Sequence, residues 1–347
     1  MMKIAIITDQ HFGARKNSKL FHDYFLKFYN DIFFPTLEAE GITTIVDMGD
    51  TFDSRKGIDF SALSWAKDNY YDKLKDYTIH TIVGNHTAYY KNTNEVNAVD
   101  LLLREYDNVK IYSEPTEAKI DNLDILFVPW INPENEDQTF KCLRNTKCDV
   151  VMGHLELNGF HATQGHIQEH GTPVTAFERF KRVYSGHYHI RSNKENIYYL
   201  GNPYEMFWND WNNTRGFHIF DTETLEHTPV DNPYTIFKKI FYEDTPYQTF
   251  DTRKYEGKIV KVIVRQKSDT KKFEKFVDKL YNSNVAEIKV VENFEFNGWY
   301  CKDDEAFESE DTMSILNRYI EEADISLDKS VIQKMLQEVY QEACELI

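Results

Sequence analysis

The chain has 347 residues, of which 41% are hydrophobic and 15% aromatic, so it can build a substantial core and is not globally disordered. This length predicts one large domain with smaller appendages. The formal net charge of -17 argues against a generic nucleic-acid-binding surface, although acidic residues that bind metal ions would be neutralised.

The apolar runs and the cysteines of the chain indicate the cellular compartment in which the protein is expected. No apolar run approaches the roughly 20 residues that span a bilayer, so no membrane association is expected. The N-terminal apolar run is too short for a signal-peptide core and is predicted to be a strand. The four cysteines show no C-x-x-C spacing, which is typical of reduced thiols. The sequence therefore predicts a cytoplasmic protein.

Strand and helix patterns alternate through the first two thirds of the chain. Apolar, β-rich runs predict strands at residues 3–8, 43–48, 80–83, 124–128, 150–152, 182–184, 197–200 and 216–220. Helical spacing predicts helices at residues 20–37, 61–74, 96–103, 136–143 and 174–180. This alternation predicts an α/β fold with a layered sheet in a first domain at residues 1–228.

The pattern breaks at residues 226–233, which contain Pro229 and Pro233. A strand at 258–264, a helix at 270–281 and a strand at 285–291 then predict a separate small α+β domain at residues 233–296. Residues 297–311 are polar and acidic and predict a linker. Residues 312–347 predict two amphipathic helices, whose apolar residues recur at helical spacing.

The small domain is the more basic part of an acidic chain. Its cationic residues are Lys238, Lys239, Lys258, Lys261, Arg265, Lys267, Lys271 and Lys272. They are predicted either to contact nucleic-acid phosphates, which would make binding salt-sensitive, or to form a solvated surface.

Five short segments end in metal-binding side chains, and each follows an apolar, β-rich run. Their candidate ligands are Asp9, His11, Asp50, Asn85, His86, His154, His187 and His189. Because ligands collect beyond the carboxyl ends of strands in α/β folds, these side chains are expected to converge. Mixed oxygen and imidazole ligands suit divalent metals such as manganese. Two metals about 3.5–4 Å apart need a shared carboxylate, and Asp50 is the natural bridge.

At each position an ordinary structural role competes with metal binding. An Asp after a strand is often a helix N-cap, and a strand-end His is usually a surface residue. Five such segments in this order favour a two-metal site that cleaves phosphate esters. His161, His166 and His170 lie in a glycine-containing loop and are predicted to be surface or substrate-loop residues.

The five segments resemble the motifs of the calcineurin-type metallophosphoesterases. Within that superfamily the chain resembles the SbcD/Mre-eleven DNA-repair nucleases, and among them the bacteriophage branch of recombination-endonuclease subunits. The closer match lies in residues 49–56, 81–86, 128–130, 153–160, 185–189 and 201–204. The resemblance covers nearly the whole chain. It implies a layered β-sandwich core flanked by helices, a small α+β DNA-capping domain and a C-terminal helix pair.

The resemblance also implies roles for the site residues. It assigns one metal to Asp9, His11, Asp50 and His189, and the second metal to Asp50, Asn85, His154 and His187. It implies two Mn²⁺ ions, with Mg²⁺ as an alternative, that activate a water to attack the phosphorus. His86 would face the scissile phosphate and assist the leaving oxygen, with Asp53 orienting it. Family members commonly have Asp where this chain has Thr87.

The function that the resemblance implies is DNA end processing in recombination and repair. It predicts an exonuclease, 3′ to 5′ on duplex DNA, that also cuts single strands and forms a homodimer. The terminal helices would bind a Rad-fifty/SbcC-type ATPase through Ile315, Leu316, Tyr319, Ile332, Met335, Leu336 and Val339. Those helices could instead pack on the chain's own core. The alternative functions are a metallophosphatase or cyclic-nucleotide phosphodiesterase with a small substrate, and a non-catalytic scaffold for the ATPase and DNA.

Overall fold

A computed structural model describes residues 2–163, 165–265 and 269–292, together with positions 320, 329 and 332. Ile320, Lys329 and Ile332 are helical. The predicted linker at 297–311 and the other partner-binding residues lie outside the described residues: Ile315, Leu316, Tyr319, Met335, Leu336 and Val339. None of the helices that the structure describes is long and apolar enough to cross a membrane.

The described residues form strands in the following chain order: β1 (Lys3–Ile7), β2 (Thr44–Asp47), β3 (Thr78–Ile82), β4 (Val109–Tyr112), β5 (Thr116–Ile120), β6 (Leu123–Val128), β7 (Val150–Gly153), β8 (His161–Thr163), β9 (His166–Ile167), β10 (Arg182–Ser185), β11 (Ser192–Lys194), β12 (Ile197–Tyr199), β13 (Gly216–Asp221), β14 (His227–Asp231), β15 (Phe237–Phe241), β16 (Ile259–Val264) and β17 (Glu287–Glu292).

The α-helices among them are Lys19–Phe28, Phe34–Glu40, Phe60–Ala66, Ala98–Leu103, Glu136–Asn145 and Thr270–Tyr281. Single π-helical turns at Tyr29–Phe33 and Lys67–Tyr71 continue the first and third of these helices. Short 3₁₀ turns lie at Asp72–Leu74, Val174–Ala176, Trp208–Asp210 and Thr252–Tyr255. Ala14–Asn17 is a turn rather than a helix, because Arg15 and Lys16 have φ of 58°.

Two six-stranded mixed sheets form the core of the large domain. The first has the order β14-β13-β1-β2-β3-β4, with β1 to β4 parallel and β13 antiparallel to β1. The second has the order β11-β12-β10-β7-β6-β5, in which β12, β10, β7 and β6 are parallel. In both sheets the carboxyl ends of the parallel strands therefore share one edge.

The two sheets pack face to face and carry helices on their outer faces. Ile4 and Met48 of the first sheet belong to the same buried cluster as Phe127 and Met152 of the second. The alternate residues of β1, such as Ala5 and Ile7, face the helical layer instead. Because both faces of the central strands are covered, those strands are continuously apolar. The predicted layered α/β fold is confirmed.

Two predicted features of the large domain are wrong. Residues 226–233, where the sequence predicts a break in the strand and helix pattern, instead contain strand β14, in which Pro229 lies opposite His218. This strand is at the sheet edge, where the missing N–H of a proline costs no hydrogen bond within the sheet. The predicted helix at 174–180 is only the 3₁₀ turn Val174–Ala176.

The small sheet has the order β15-β16-β17, with all three strands parallel. Helix Thr270–Tyr281 is capped by Asp269, whose carboxylate accepts a hydrogen bond from the backbone N–H of Lys272. The helix buries Phe273, Phe276 and Leu280 in the same apolar cluster as the strands. The sequence missed β15, and the domain boundaries at 228, 233 and 296 remain predictions.

The small sheet meets the large domain at residues 205–211. The Glu205 carboxylate accepts hydrogen bonds from the backbone N–H groups of Ile236 (2.6 Å) and Phe237 (2.9 Å). The Trp208 ring lies 4.6 Å from the Phe237 ring and 4.2 Å from the Lys261 ammonium. A buried carboxylate and an aromatic side chain thus join the two parts.

Several cationic residues of the small domain contact protein groups. Lys239 and Lys261 lie over tryptophan rings, Lys258 donates to a backbone carbonyl, and Arg265 and Lys272 pair with acids. Lys267 lies outside the described residues. These five side chains therefore contact protein groups, and their binding to phosphates stays a prediction.

Candidate metal centre

The predicted ligands lie in five loops that follow the carboxyl ends of parallel strands in the two sheets. The loops follow β1, β2 and β3 of the first sheet and β7 and β10 of the second. Asp9, His11, Asp50 and His187 have φ values of 54°, 45°, 51° and 80°. Residues other than glycine rarely adopt this left-handed backbone, and such strain concentrates at functional sites.

One cluster of ligand atoms comes from the β1 and β10 loops. Asp9, His11 and His189 each offer an atom to a group within 4.8 Å of one another. The Asp9 carboxylate lies 3.9 Å from Nε2 of both His11 and His189. Nε2 of His11 is buried and has no hydrogen-bond partner among the described residues. A buried nitrogen without a partner beside carboxylates is suited to a cation.

A second cluster contains Asp50, His154 and His187. The backbone carbonyl of Met48 lies 2.9 Å from His154 Nδ1, so Nδ1 carries the proton and Nε2 is free. That Nε2 faces Asp50 Oδ2 at 3.2 Å and Asn85 Oδ1 at 2.9 Å. Lone pairs of three atoms thus converge on one point. A proton or a metal cation between them relieves the repulsion, and this donor set fits a divalent metal.

Asp50 lies between the two clusters. Its Oδ2 is 3.9 Å from His11 Nε2 and 3.2 Å from His154 Nε2. Its Oδ1 accepts a hydrogen bond of 2.8 Å from the backbone N–H of His86. The geometry brings together all seven predicted ligands, with Asp50 in the position of a bridge.

The electrostatics of the site favour a bound positive charge. Burial lowers the pKa of His11, but Asp53, Asp50 and Asp9 raise it more, to about 9. Burial also lowers the pKa of His154, but Asp50 raises that pKa to about 9. Burial raises the pKa of Asp50, but the histidines around it lower it well below its usual range. These buried carboxylates therefore hold protons on His11 and His154, and a metal would compete with those protons.

His86 and Asp53 differ in detail from the prediction. His86 Nδ1 lies 2.8 Å from the backbone carbonyl of Asp53, so Nδ1 donates and the ring's lone pair lies on Nε2. The Asp53 carboxylate lies 3.1 Å from His11 Nδ1 instead. Asp53 therefore contacts His86 through its main chain and His11 through its side chain.

Two motif glycines allow the ligand loops to approach each other. A Cβ on Gly186 would overlap Thr8 Oγ1 and come within 2.9 Å of the Asp9 carboxylate. A Cβ on Gly84 would come within 2.5 Å of the Asp50 backbone nitrogen. Thr87, at the position where Asp is common in the family, is buried and closes the Gly84 turn with its hydroxyl.

Sequence reasoning missed residues that contact the ligands from outside. Asn202 Nδ2 is 3.3 Å and Asp210 Oδ1 is 3.8 Å from His189 Nδ1, and Arg215 pairs with Asp210 at 3.2 Å. Arg55 donates to the Asn85 carbonyl at 2.6 Å. The only sequence signal was their position in or near two of the longer matching segments, residues 49–56 and 201–204.

A cleft opens beside the centre. It has a volume of about 340 Å³ and is lined by His187, His189, Glu156, Gln168 and Phe207. The Phe207 ring is 38% exposed and stacks at 6.3 Å on the ring of His189. The cleft gives a substrate a route to the ligand atoms.

Comparisons with known proteins identify one similar sequence. The chain is 32% identical over 323 residues to Exonuclease subunit 1 of Enterobacteria phage T4, and the match covers 92% of each chain. No protein-family profile matches the chain. Similar solved structures include an archaeal phosphodiesterase (13% identity, 67% of this chain and 100% of that one, TM-score 0.35). Another is the calcineurin-like phosphoesterase YfkN from Bacillus subtilis (13% identity, 66% and 88%, TM-score 0.33).

Proposed function

The chain belongs to the phage branch of the SbcD/Mre-eleven family of metallophosphoesterases, and from that membership we propose that it is a two-metal DNA nuclease. The observation that carries the proposal is the convergence of seven ligand residues around the carboxylate of Asp50. An isolated structural ion would not need a bridging carboxylate between two ligand groups.

The proposed roles follow the two clusters. Asp9, His11, Asp50 and His189 hold one divalent cation, and Asp50, Asn85, His154 and His187 hold the other. When bound, Mn²⁺ or Mg²⁺ would supply Lewis-acid activation of the phosphate and of a water nucleophile. His86, with Nδ1 donating to the Asp53 carbonyl, presents Nε2 to the leaving sugar oxygen. Asp53 also fixes the ring of His11.

The proposed substrate is DNA, degraded from its ends. The relative's name, Exonuclease subunit 1, supports exonuclease activity and a partner subunit. We assign this chain 3′ to 5′ activity on duplex DNA, cleavage of single strands, and a role in recombination and repair in the host cytoplasm. The partner is a Rad-fifty/SbcC-type ATPase bound through the C-terminal helices, including Ile332.

We also propose a homodimer, as membership of the family implies. Phe60 is 88% exposed and Leu101 is 58% exposed, and they lie on helices Phe60–Ala66 and Ala98–Leu103. Single exposed apolar side chains are common on monomers, so these two are candidate contacts and do not by themselves carry the proposal. Sedimentation of the purified chain tests this point, and a monomer at micromolar concentration would contradict it.

The decisive experiment measures cleavage of end-labelled duplex and single-stranded DNA with Mn²⁺, with and without the ATPase. We expect shortening from the 3′ end, loss of cleavage with a chelator, and a fall of at least about 100-fold in His86→Ala. His170→Ala is the matched control, because His170 is exposed and outside the ligand clusters. Cleavage only of small phosphodiesters would favour a phosphodiesterase, and metal binding without any cleavage would favour a scaffold.

A further inference from the structure

A buried polar network lies directly beneath the candidate metal centre, and no step of the proposed reaction uses it. Its two central residues are Gln10 and Asp47, and both are 0% exposed. Gln10 separates the predicted ligands Asp9 and His11 in the chain, and Asp47 lies three residues before Asp50.

Gln10 is held at three points. Its Nε2 donates to Asp47 Oδ2 at 3.0 Å, and its Oε1 accepts from the Tyr29 hydroxyl at 2.6 Å. Its backbone carbonyl accepts from the Tyr204 hydroxyl, also at 2.6 Å. Because the backbone N–H of Gly49 donates to one Asp47 oxygen and the Thr51 hydroxyl donates to the other, Asp47 acts as the acceptor and the side-chain nitrogen of Gln10 faces it. The amide orientation is therefore set by the network.

Asp47 connects Gln10 to the loop that carries Asp50. Besides Gln10, the Asp47 carboxylate accepts from Thr51 Oγ1 at 2.6 Å and from the backbone N–H of Gly49 at 3.2 Å. Thr51 and Gly49 are the two neighbours of Asp50. One carboxylate therefore fixes the chain on both sides of the bridging ligand.

The ligands that flank this network have strained backbones. Asp9, His11 and Asp50 have φ values between 45° and 54°, in the left-handed region. Two backbone hydrogen bonds join their loops, from Asp9 N to Gly49 O and from His11 N to Asp50 O, both at 2.9 Å. A strained conformation persists only when surrounding contacts determine it, and the side chains of Gln10 and Asp47 supply such contacts.

We propose that Gln10 and Asp47 are positioning residues that form a brace between the Asp9–His11 and Asp50 loops and set the affinity of the centre for divalent metal. The proposal rests on the proposed function, since it requires that the centre bind metal. A pair that only filled the core would be expected to be apolar, because a buried carboxylate is costly. That cost is visible here: burial raises the pKa of Asp47 to about 7, although hydrogen bonds from Thr51 and Gly49 lower it in part.

The test exchanges the donor and acceptor of the brace. Gln10→Glu places two carboxylates in contact. Asp47→Asn places an amide nitrogen against the donors Gln10 Nε2 and Thr51 Oγ1. The double variant restores the donor–acceptor pair, because the amide introduced at position 47 then donates to the carboxylate introduced at position 10, which still accepts from Tyr29. The Thr51 hydroxyl, which donates to Asp47 in the wild type, turns to accept from the same amide. We measure Mn²⁺ affinity of the full chain by calorimetric titration without DNA, together with the melting temperature of the metal-free protein.

We expect each single variant to bind Mn²⁺ about 10–100-fold more weakly, and the double variant to recover to within about threefold of wild type. Asn135→Asp is the control, since it makes an amide-to-acid change at a buried site away from the ligand loops. It should lower the melting temperature without changing Mn²⁺ affinity. Should the single variants fail to fold, Tyr204→Phe removes the hydrogen bond to the Gln10 carbonyl without adding charge and should weaken binding at least threefold.

Distinct outcomes separate this proposal from the nuclease proposal. Wild-type Mn²⁺ affinity in folded single variants, or in Tyr204→Phe, overturns the brace and leaves the nuclease intact. So does a double variant that recovers its melting temperature but not its affinity. Recovery of affinity in the double variant, with no DNA cleavage by wild type, supports the brace and removes the nuclease. Absence of Mn²⁺ binding by wild type overturns both.

Discussion

Glycine at position 186 illustrates how the centre depends on single residues. Gly186 lies where a Cβ would meet Thr8 Oγ1 and the carboxylate of Asp9. Asp9 in turn lies 3.9 Å from Nε2 of His11 and of His189. The glycine therefore matters for the space it leaves empty.

We expect Gly186→Ala to push the Asp9 carboxylate out of the ligand cluster and to weaken Mn²⁺ binding about 10–100-fold. Mn²⁺ titration of the purified variant measures this. Gly57→Ala is the matched control, because a Cβ at Gly57 meets nothing within 4 Å. Equal Mn²⁺ affinity in both variants would show that the Asp9 loop can shift without a loss of binding free energy.

At the residue scale the sequence predicted the side chains that the structure brings together at the centre, but not all of their contacts. Strand-end position and residue type were enough to select Asp9, His11, Asp50 and the later histidines. The Asp53 carboxylate faces the ring of His11 and not that of His86. Which ring it faces depends on how two loops lie relative to each other, and no local sequence pattern encodes that arrangement. Asp210 contacts His189 from 21 residues further along the chain, so spacing could not reveal it.

At the scale of elements, the strands that lead to the site were predictable and the edge strands were not. β1, β2 and β7 are buried on both faces, so they form continuous apolar runs with a polar residue at the end. β14 contains Pro229 and has no buried residue, so its sequence resembles that of a loop. β5 has a similarly weak, half-exposed pattern.

The joint between the large domain and the small sheet gives a prediction at this scale. We expect Glu205→Leu to leave the N–H groups of Ile236 and Phe237 unpaired and to destabilise the protein by about 1–3 kcal/mol. Hydrogen exchange at residues 236–241 should accelerate, and the free energy of unfolding should fall. Glu205→Gln keeps an acceptor at the same place and should have a smaller effect. Unchanged slow hydrogen exchange at these residues in Glu205→Leu would show that the packing of Trp208 on Phe237 is enough to hold the joint together.

For the whole molecule, stability should fall in mild acid through a buried histidine of β3. Burial lowers the pKa of His80 to about 4, because its ring packs against the stacked rings of Tyr112 and Phe127, and the charge of Lys110 lowers it further. The folded state thus binds the proton more weakly than the unfolded state, whose pKa is about 6.5. The neutral ring contributes its full stability above pH 6.5, and this is lost as the pH falls from 6.5 towards 4.

We expect the free energy of unfolding of wild type to drop between pH 7 and pH 5, with His80 contributing about 2 kcal/mol. In His80→Phe, which keeps an aromatic ring against the same two neighbours, this drop should be smaller by that amount. Urea unfolding at the two pH values measures both quantities. An identical pH dependence in the two proteins would assign the acid sensitivity to other groups.

The distribution of the ligands along the chain has a consequence for protein synthesis. Residue 3 in β1 pairs with residue 221 in β13, and the ligand residues extend from Asp9 to His189. A chain emerging from the ribosome amino terminus first cannot close this site until about 190 residues have been made, and cannot complete the first sheet until β13 follows. Under the proposed function, a shorter nascent chain would therefore not yet cleave DNA, since it lacks at least one of the proposed ligands that follow β10.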